Sequence, residues 1–270
     1  MQKISSWVRS FLIILWMLLS PFAMGVWMLF HPRERYDADR AFLRFIRWGV
    51  QKIAPIQVEV EGEEHLTAHQ PCIFLNNHQH TIEAAIIATV YPPRTVVVAK
   101  MELRKIPIAG WIFEKAGNVF IDRSDLEQSI GIMTELAETM RRENVNLWIF
   151  PEGRLNTDRV GLGPFKKGPF HMAIQLQAPL VPVVFSPSYC LLDAVAGHAR
   201  PGKVWIKVLE PIPTTGLDKE DVEELRDIAH ARMKAAYDEL EARAFVWHPP
   251  HKVNCEHVRS WYDDRSSPVR

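Results

Sequence analysis

The chain has 270 residues, of which 32 are basic and 32 are acidic, so its formal net charge is zero. This balance gives no support to nucleic-acid binding, which relies on a basic surface. The three cysteines provide no disulfide framework and suit a reducing compartment. The length allows one sizeable core, and neither an internal repeat nor a Ser/Gly-rich linker divides the chain.

The N-terminal segment contains a long apolar run. Residues 11–30 carry no charge, and a run of this length can cross a hydrocarbon layer of about 30 Å as one helix. Pro21 lies in the middle, where proline kinks or breaks a helix. Basic residues flank the run on both sides, which favours both ends on the cytoplasmic side. We therefore expect residues 1–35 to form a membrane-embedded two-helix motif on the cytoplasmic face of the cell (inner) membrane, with a single span as the alternative.

The segment after this run alternates basic and apolar residues. Arg40, Arg44 and Arg47 fall on one face of a helix. Such a helix either lies in the lipid headgroup layer with its arginines on phosphates, or packs on the core and exposes a solvated side. The sequence leaves both interpretations open.

Residues 36–245 show the alternation of strands and helices that is typical of an α/β domain. We predict a mostly parallel central sheet flanked by helices and an irregular C-terminal tail over residues 246–270. The clearest helices begin at Ser124, with a capping box, and at Asp218, from which an apolar stripe continues to about Arg243. Short apolar runs predict seven strands, at Ile56–Val60, Cys72–Leu75, Thr95–Ala99, Asn118–Ile121, Leu147–Phe150, Val181–Phe185 and Val204–Leu209.

A histidine and a carboxylate stand close together where the second predicted strand gives way to a helix. The stretch reads Asn-Asn-His-Gln-His-Thr-Ile-Glu, with His78 in the turn and Glu83 five residues later. Five residues of an ideal helix turn through about 500°, so the two side chains meet only if His78 precedes the helix. In that arrangement the carboxylate holds one ring nitrogen and leaves the other free to take a proton from a substrate hydroxyl.

Two other interpretations compete with a catalytic base. A histidine near an apolar strand is often a structural residue whose polar atoms are hydrogen-bonded. Alternatively, His78, His80 and Glu83 are metal ligands of a membrane-anchored, metal-dependent protein. No cysteine or histidine cluster follows at a recognisable metal-site spacing, so we predict no metal.

Further segments follow the histidine stretch in a fixed order, at Ala99–Trp111, Gly117–Arg123, Phe150–Arg154 and Val181–Val184. Together with the histidine stretch as the first block, they resemble the block pattern of the glycerolipid acyltransferase family, in particular the bacterial 1-acylglycerol-3-phosphate acyltransferases. The resemblance spans roughly residues 70–190.

This resemblance implies a reaction and a role for the histidine. His78 would be the general base on the free hydroxyl of a lysophospholipid, Glu83 would orient His78, and the oxygen would attack an acyl thioester directly. The acceptor would be 1-acylglycerol 3-phosphate and the product phosphatidate, in phospholipid biosynthesis. The donor substrate would be acyl-CoA or acyl carrier protein, and no cofactor is expected. Similar enzymes also carry a two-helix membrane motif at the N-terminus.

The same resemblance implies the substrate contacts. Lysine point charges and arginine forks suit a phosphate dianion. The candidates for that task are Lys100, Lys105, Arg123 and Arg154. The residues that would shape the acceptor or acyl site are Asn77, Glu152 and Gly153.

The chain departs from the family pattern in two places. Its first block ends in Glu83, one methylene longer than the usual aspartate. Its third block reads Glu152-Gly153-Arg154, without the threonine that usually precedes the arginine. These differences leave another lysolipid, for example a lyso-aminolipid, open as the acceptor.

The sequence shows no sign of a covalent acyl-enzyme. A Gly-x-Ser-x-Gly elbow is absent, and Cys72 lies inside an apolar run where packing is its expected role. The glycine-rich stretch Gly161–Gly168 matches neither a dinucleotide fingerprint nor a P-loop, so we predict a turn that enters a helix.

Overall fold

The computed structural model describes residues 5–78, 83–122, 126–154, 161–188, 191–193 and 198–247. Its strands are β1 (Ile56–Glu61), β2 (Ile73–Asn76), β3 (Thr95–Lys100), β4 (Val119–Ile121), β5 (Asn146–Ile149), β6 (Leu180–Phe185), β7 (Leu192–Asp193), β8 (His198–Ala199) and β9 (Gly202–Val208). Its α-helices are α1 (Ser6–Phe30), α2 (Ala38–Ile53), α3 (Ala84–Ile87), α4 (Met101–Arg104), α5 (Ala109–Lys115), α6 (Leu126–Glu143), α7 (Gly168–Leu176) and α8 (Val222–Trp247).

Seven strands form one sheet in the spatial order β1, β9, β6, β2, β5, β3, β4. The five strands from β6 to β4 are parallel to one another, whereas β9 pairs antiparallel with β6 and parallel with β1. The prediction of a mostly parallel sheet is therefore confirmed. All seven predicted strands are present, with ends shifted by one or two residues, because covered strands are short continuous apolar runs. The small antiparallel pair of β7 and β8 was not predicted.

Alternate residues of the central strands point to opposite faces of the sheet, so the core has two halves. Ile73 and Leu75 of β2 pack with α6, α7 and α8. Phe74, between them, packs with α2 and α3 on the other face. The domain is thus a sandwich with helices on both sides of the sheet, as predicted.

The N-terminal helix α1 is unbroken, so the predicted break at Pro21 within residues 1–35 is wrong. Proline cannot donate to the carbonyl four residues earlier, which here belongs to Met17. The hydroxyl of Ser20 donates to that carbonyl oxygen instead, at 3.0 Å. This replacement satisfies the carbonyl and allows the helix to continue.

A helical hairpin is formed instead by α1 and α2, of which α2 lies beyond the predicted range of residues 1–35. The Trp16 ring of α1 lies against Phe45 and Trp48 of α2, with centroids 4.6 Å and 5.5 Å away. Near the connection, Met28 shares a buried cluster with Ala38. The two helices therefore pack antiparallel, and the hairpin extends well beyond the expected boundary.

The surface of α1 is divided into a packed side and an apolar exposed side. At its start, the Ser6 hydroxyl accepts a hydrogen bond from Ala199 N at 2.9 Å, and near its end Met24 packs in a cluster with Ile112 of α5. Among the described helices, α1 alone is long and apolar enough to cross a membrane by length and composition. The remaining surface exposes large apolar side chains, including Trp7, Phe11, Leu18, Leu19, Phe22, Leu29 and Phe30.

One side of α2 packs on the core. Ile46 and Val50 are buried there, while Arg44 is exposed. Arg47 is half-buried and donates to the carbonyl oxygen of Ala85 at 3.3 Å. The core-facing interpretation of this helix is confirmed, and contact of its arginines with lipid headgroups stays a prediction.

The two predicted long helices are α6 and α8. The cap of α6 expected at Ser124 lies outside the described residues. Asp218 caps the short turn that leads into α8, and α8 itself continues to Trp247. Residues 248–270, which make up most of the predicted tail, lie outside the described part of the chain.

Candidate active site

The segments that carry the motif residues meet at one edge of the sheet. Strands β2, β3, β4 and β5 are parallel, so their carboxyl ends share that edge, where ligands bind in open α/β sheets. His78 follows β2, Glu152 follows the neighbouring β5, and Lys100 ends β3. The order of the strands thus brings together residues that are distant in sequence.

His78 and Glu83 form the hydrogen-bonded pair that their spacing predicts. His78 Nδ1 lies 3.0 Å from Glu83 Oε2, and the side chains are 24% and 2% exposed. A carboxylate that accepts from Nδ1–H favours the tautomer with a free Nε2. Glu83 directly precedes α3, so His78 lies before the helix, as predicted. The glutamate side chain, one methylene longer than the aspartate usual in the family, reaches the imidazole.

Asn77 holds the turn in which the histidine lies. Its Oδ1 accepts a hydrogen bond from Phe185 N at 2.8 Å, and its Nδ2 donates to Phe185 O at 3.1 Å. Asn76 donates to Val183 O at 2.9 Å on the same strand. The side chain of Asn77 is fully buried, so it shapes the site by tying the end of β2 to the end of β6.

Glu152 joins the histidine turn to the segment before α7. Its Oε1 accepts from His78 N and its Oε2 from Gly163 N, both at 3.0 Å. Burial raises the pKa of the Glu152 carboxyl group, and the two backbone hydrogen bonds offset part of that rise. Since each oxygen already accepts a backbone N–H, Glu152 positions the histidine backbone.

Two glycines allow this close packing. Gly153 has a φ of 71°, a region that favours glycine. A Cβ on Gly163 would lie 2.6 Å from Glu152 Oε2, so a side chain at this position would displace the carboxylate. The backbone at position 153 therefore requires glycine, while the role of Gly153 in shaping the substrate site stays a prediction.

The basic candidates that the structure describes lie along the same edge of the sheet. Lys100 and Lys105 are exposed. Strand β3 is two strands away from β2, which corresponds to about 10 Å, so a lysine side chain at its end can approach a substrate held at His78. Arg154 is exposed beyond β5, and Arg123 lies outside the described residues. Their assignment to the substrate phosphate stays a prediction.

Sequence reasoning missed three residues that support the site. Phe150 stacks on the His78 imidazole with ring centroids 4.1 Å apart; its place in the third block was the available signal. Gly163 N donates to Glu152 Oε2. Arg47 of α2 donates to the backbone carbonyl of Ala85 in α3. Nothing local in the sequence indicated these two contacts.

The structure also bears on a metal site and on a cysteine nucleophile. Within the described part of the chain, no group of three His, Cys, Asp or Glu side chains is arranged to hold a metal ion, and His80 of the alternative metal site lies outside that part. Cys72 is buried, and burial raises the pKa of its thiol to about 12, which confirms a packing role rather than a nucleophile. The stretch from Gly161 leads into α7 at Gly168, as predicted.

The mostly parallel sheet and the histidine–carboxylate pair at its carboxyl edge agree with the acyltransferase that the sequence blocks indicate. The family model described as Acyltransferase matches residues 57–186. The matched range contains all the site residues discussed above that the structure describes, apart from Arg47.

Individual relatives narrow the family. The chain is 35% identical over 208 residues to 1-acyl-sn-glycerol-3-phosphate acyltransferase alpha of Homo sapiens, covering 77% of this chain and 73% of that protein. It is 34% identical over 186 residues to 1-acyl-sn-glycerol-3-phosphate acyltransferase of Saccharomyces cerevisiae, covering 68% and 61%. The crystal structure of the 1-acyl-sn-glycerophosphate (LPA) acyltransferase PlsC from Thermotoga maritima aligns with a TM-score of 0.69 at 26% identity, covering 87% of this chain and 95% of that one. The chain belongs to the 1-acyl-sn-glycerol-3-phosphate acyltransferase family.

Proposed function

We propose that this protein transfers a fatty acyl group from an acyl thioester to the 2-hydroxyl of 1-acylglycerol 3-phosphate, and so makes phosphatidate for phospholipid biosynthesis. The observation that carries the proposal is the 3.0 Å contact between His78 Nδ1 and Glu83 Oε2, at the carboxyl edge of the sheet. The names of the relatives support the choice of acceptor.

The reaction is a direct transfer between two substrates bound at His78. The free Nε2 takes the proton of the acceptor hydroxyl, and Glu83 stabilises the imidazolium that forms. The oxygen forms a new ester bond with the thioester carbonyl carbon while the carbon–sulfur bond breaks. The leaving thiolate then takes the proton from Nε2, which returns His78 to its starting state, so the cycle requires no cofactor.

Basic side chains along the same edge hold the acceptor phosphate in this proposal. Lys100 and Lys105 are exposed there, and lysine and arginine donors together suit a phosphate dianion. Arg123 and Arg154 complete the proposed set. Acyl-CoA or acyl carrier protein supplies the acyl group as a substrate.

The helix α1 attaches the protein to the membrane in this proposal. One side of α1 packs on β8, α2 and α5, so the helix lies along the domain and turns its exposed apolar side to lipid. A helix covered by its own domain along its length is suited to one leaflet rather than to a free span. The flanking basic residues support attachment on the cytoplasmic face.

Transfer from labelled acyl-CoA to lysophosphatidate by the purified protein tests the reaction. His78→Ala is expected to abolish transfer and to leave the fold and membrane binding intact. Full activity of His78→Ala would refute the proposal.

An acceptor panel tests the substrate. Lysophosphatidate is compared with neutral and zwitterionic lysolipids that carry the same acyl chain. A preference for the phosphomonoester supports recognition of a dianion by Lys100 and Lys105. A preference for another lysolipid would support the same acyl transfer with a different acceptor. In a separate experiment, a loss of activity on metal chelation would favour the alternative metal site of His78, His80 and Glu83.

A further inference from the structure

The segment between β3 and β4 carries an exposed apolar surface. Leu103 of α4, Ile106 of the following turn and Trp111 of α5 are 40%, 47% and 43% exposed. Single exposed apolar side chains are normal, whereas several large ones grouped together indicate a contact with lipid or with another molecule. We call these three residues the β3–β4 patch.

The patch is continuous with the exposed apolar side of α1. Gly25 of α1 faces the Trp111 ring, which would lie 3.9 Å from a Cβ built on this glycine, and Met24 of α1 packs in one cluster with Ile112 of α5. Phe22, Val26 and Leu29, in the same part of α1, are exposed. The two elements therefore present one joined apolar surface.

Basic side chains surround the patch. The segment contains the cations Lys100, Arg104, Lys105 and Lys115 against the two carboxylates Glu102 and Glu114. Of these cations, Arg104 pairs with Glu114 at 2.9 Å. Apolar tips with a tryptophan and surrounding lysines fit the boundary between acyl chains and anionic headgroups.

The shape of the segment is set before any contact with lipid. Gly110 N donates to Ile106 O at 2.8 Å, and a Cβ on Gly110 would collide with the Arg104 backbone. Ile108 has a φ of 65°, which is costly for a β-branched residue, and its side chain packs in the cluster between α1 and α5. Leu103 and Ile106 therefore project from a fixed turn.

We infer that the β3–β4 patch is a second membrane-inserting element, which enters the same leaflet as α1. Helix α4 begins directly after Lys100, at the edge of the sheet where His78 lies. Insertion of the patch would press this edge against the headgroups, so that the acceptor hydroxyl reaches Nε2 while its acyl chain stays in the bilayer. The role in acceptor delivery rests on the proposed function, but the contact with lipid does not.

Photolabelling tests the contact without any need for activity. The full chain is bound to phosphatidylcholine vesicles that contain phosphatidylglycerol and a phospholipid with a diazirine on its acyl chain, and labelled peptides are mapped by mass spectrometry. Label is expected in α1 and in residues 101–115, and not around Ile228, which is 43% exposed on α8. Label in α1 without label in residues 101–115 would overturn the inference.

Kinetics test the role in acceptor delivery. The double variant Leu103→Gln/Ile106→Gln is compared with Ile228→Gln, on a long-chain acceptor in vesicles and on a short-chain acceptor in solution. Loss of the two half-exposed aliphatic side chains is expected to lower the vesicle rate on the order of tenfold. The rate in solution, which also reports correct folding, is expected to stay unchanged, and Ile228→Gln is expected to alter neither rate.

Three outcomes contradict the inference. Equal losses on both acceptor forms would place the effect in the fold or in the site. An unchanged vesicle rate would show that the patch does not deliver the acceptor. A loss seen with acyl carrier protein but not with acyl-CoA, on both acceptor forms, would make the patch a docking surface for an acidic protein.

Failure of all variants and of the wild type to acylate lysophosphatidate would instead refute the proposed function. The photolabelling would still decide whether the patch contacts lipid.

Discussion

Replacing Glu83 with glutamine removes the negative charge beside His78 and keeps the length of the side chain. The imidazolium that forms during proton transfer loses its stabilising partner, which lies at 3.0 Å and is 2% exposed. Two unit charges about 4 Å apart, at an effective dielectric constant of about 20, interact by about 4 kcal/mol. That energy corresponds to about a thousandfold in rate, so kcat of Glu83→Gln is expected to fall by roughly that factor.

The assay measures initial rates with labelled acyl-CoA and lysophosphatidate over a range of both concentrations. Because Glu83 acts on the transition state, the KM values are expected to change little. Glu83→Asp is expected to be intermediate, since the chain shortens by about 1.5 Å and opens the contact.

Glu241→Gln provides a matched control. Glu241 is also a buried carboxylate. It lies close in sequence to Arg243, which pairs with Glu61 at the carboxyl end of β1. Strand β1 runs opposite to β2, so its carboxyl end is at the edge of the sheet away from His78. Glu241 is therefore at the other edge of the sheet, and its replacement is expected to leave kcat unchanged. A Glu83→Gln variant that keeps more than a tenth of the wild-type kcat would refute the assignment of His78 and Glu83 as a coupled pair.

Three further predictions concern the supports of the site and the N-terminal hairpin. Glu152→Gln leaves one of two buried N–H donors, on His78 or Gly163, facing an amide NH₂; chemical denaturation should show a loss of about 1–3 kcal/mol, and kcat should fall. Gly163→Ala, which crowds Glu152, should lower kcat, whereas Gly168→Ala, where a Cβ meets open space, should not. Burial raises the pKa of Asp39 to about 7, so the folded state favours the protonated carboxyl group. The stability that this protonation adds to the folded state is fully present below about pH 4 and is lost as the pH rises to about 7. Asp39→Asn should therefore flatten the decline of Tm over that range, and an unchanged decline would contradict the assignment.

The contact between the histidine and the carboxylate could be predicted because it is local. His78 and Glu83 are five positions apart, and their contact depends only on where the strand ends and the helix begins. The central strands were predictable for a similar reason, since β2, β5 and β6 are short, buried and mostly apolar runs. The order of the motif blocks added the family and, with it, the reaction.

The N-terminal hairpin shows where a local rule was insufficient. Pro21 predicts a break by its effect on the backbone, but Ser20 supplies the missing hydrogen bond to Met17, so the helix continues. Its true partner is α2, through contacts such as Trp16 with Phe45. Propensity describes one segment, whereas the end of a helix also depends on the side chains that satisfy its carbonyls and on the surfaces that cover it.

The sequence alone determined a set of strands, a histidine with its carboxylate partner, and a family. Only the tertiary structure decided which groups hold that histidine in place: the amide of Asn77 on Phe185, 108 positions away, and the carboxylate of Glu152 on the His78 backbone, 74 positions away. Contacts within a turn follow from neighbouring residues, while contacts across strands depend on the order in which the sheet buries its apolar surface, and that order is a property of the whole chain.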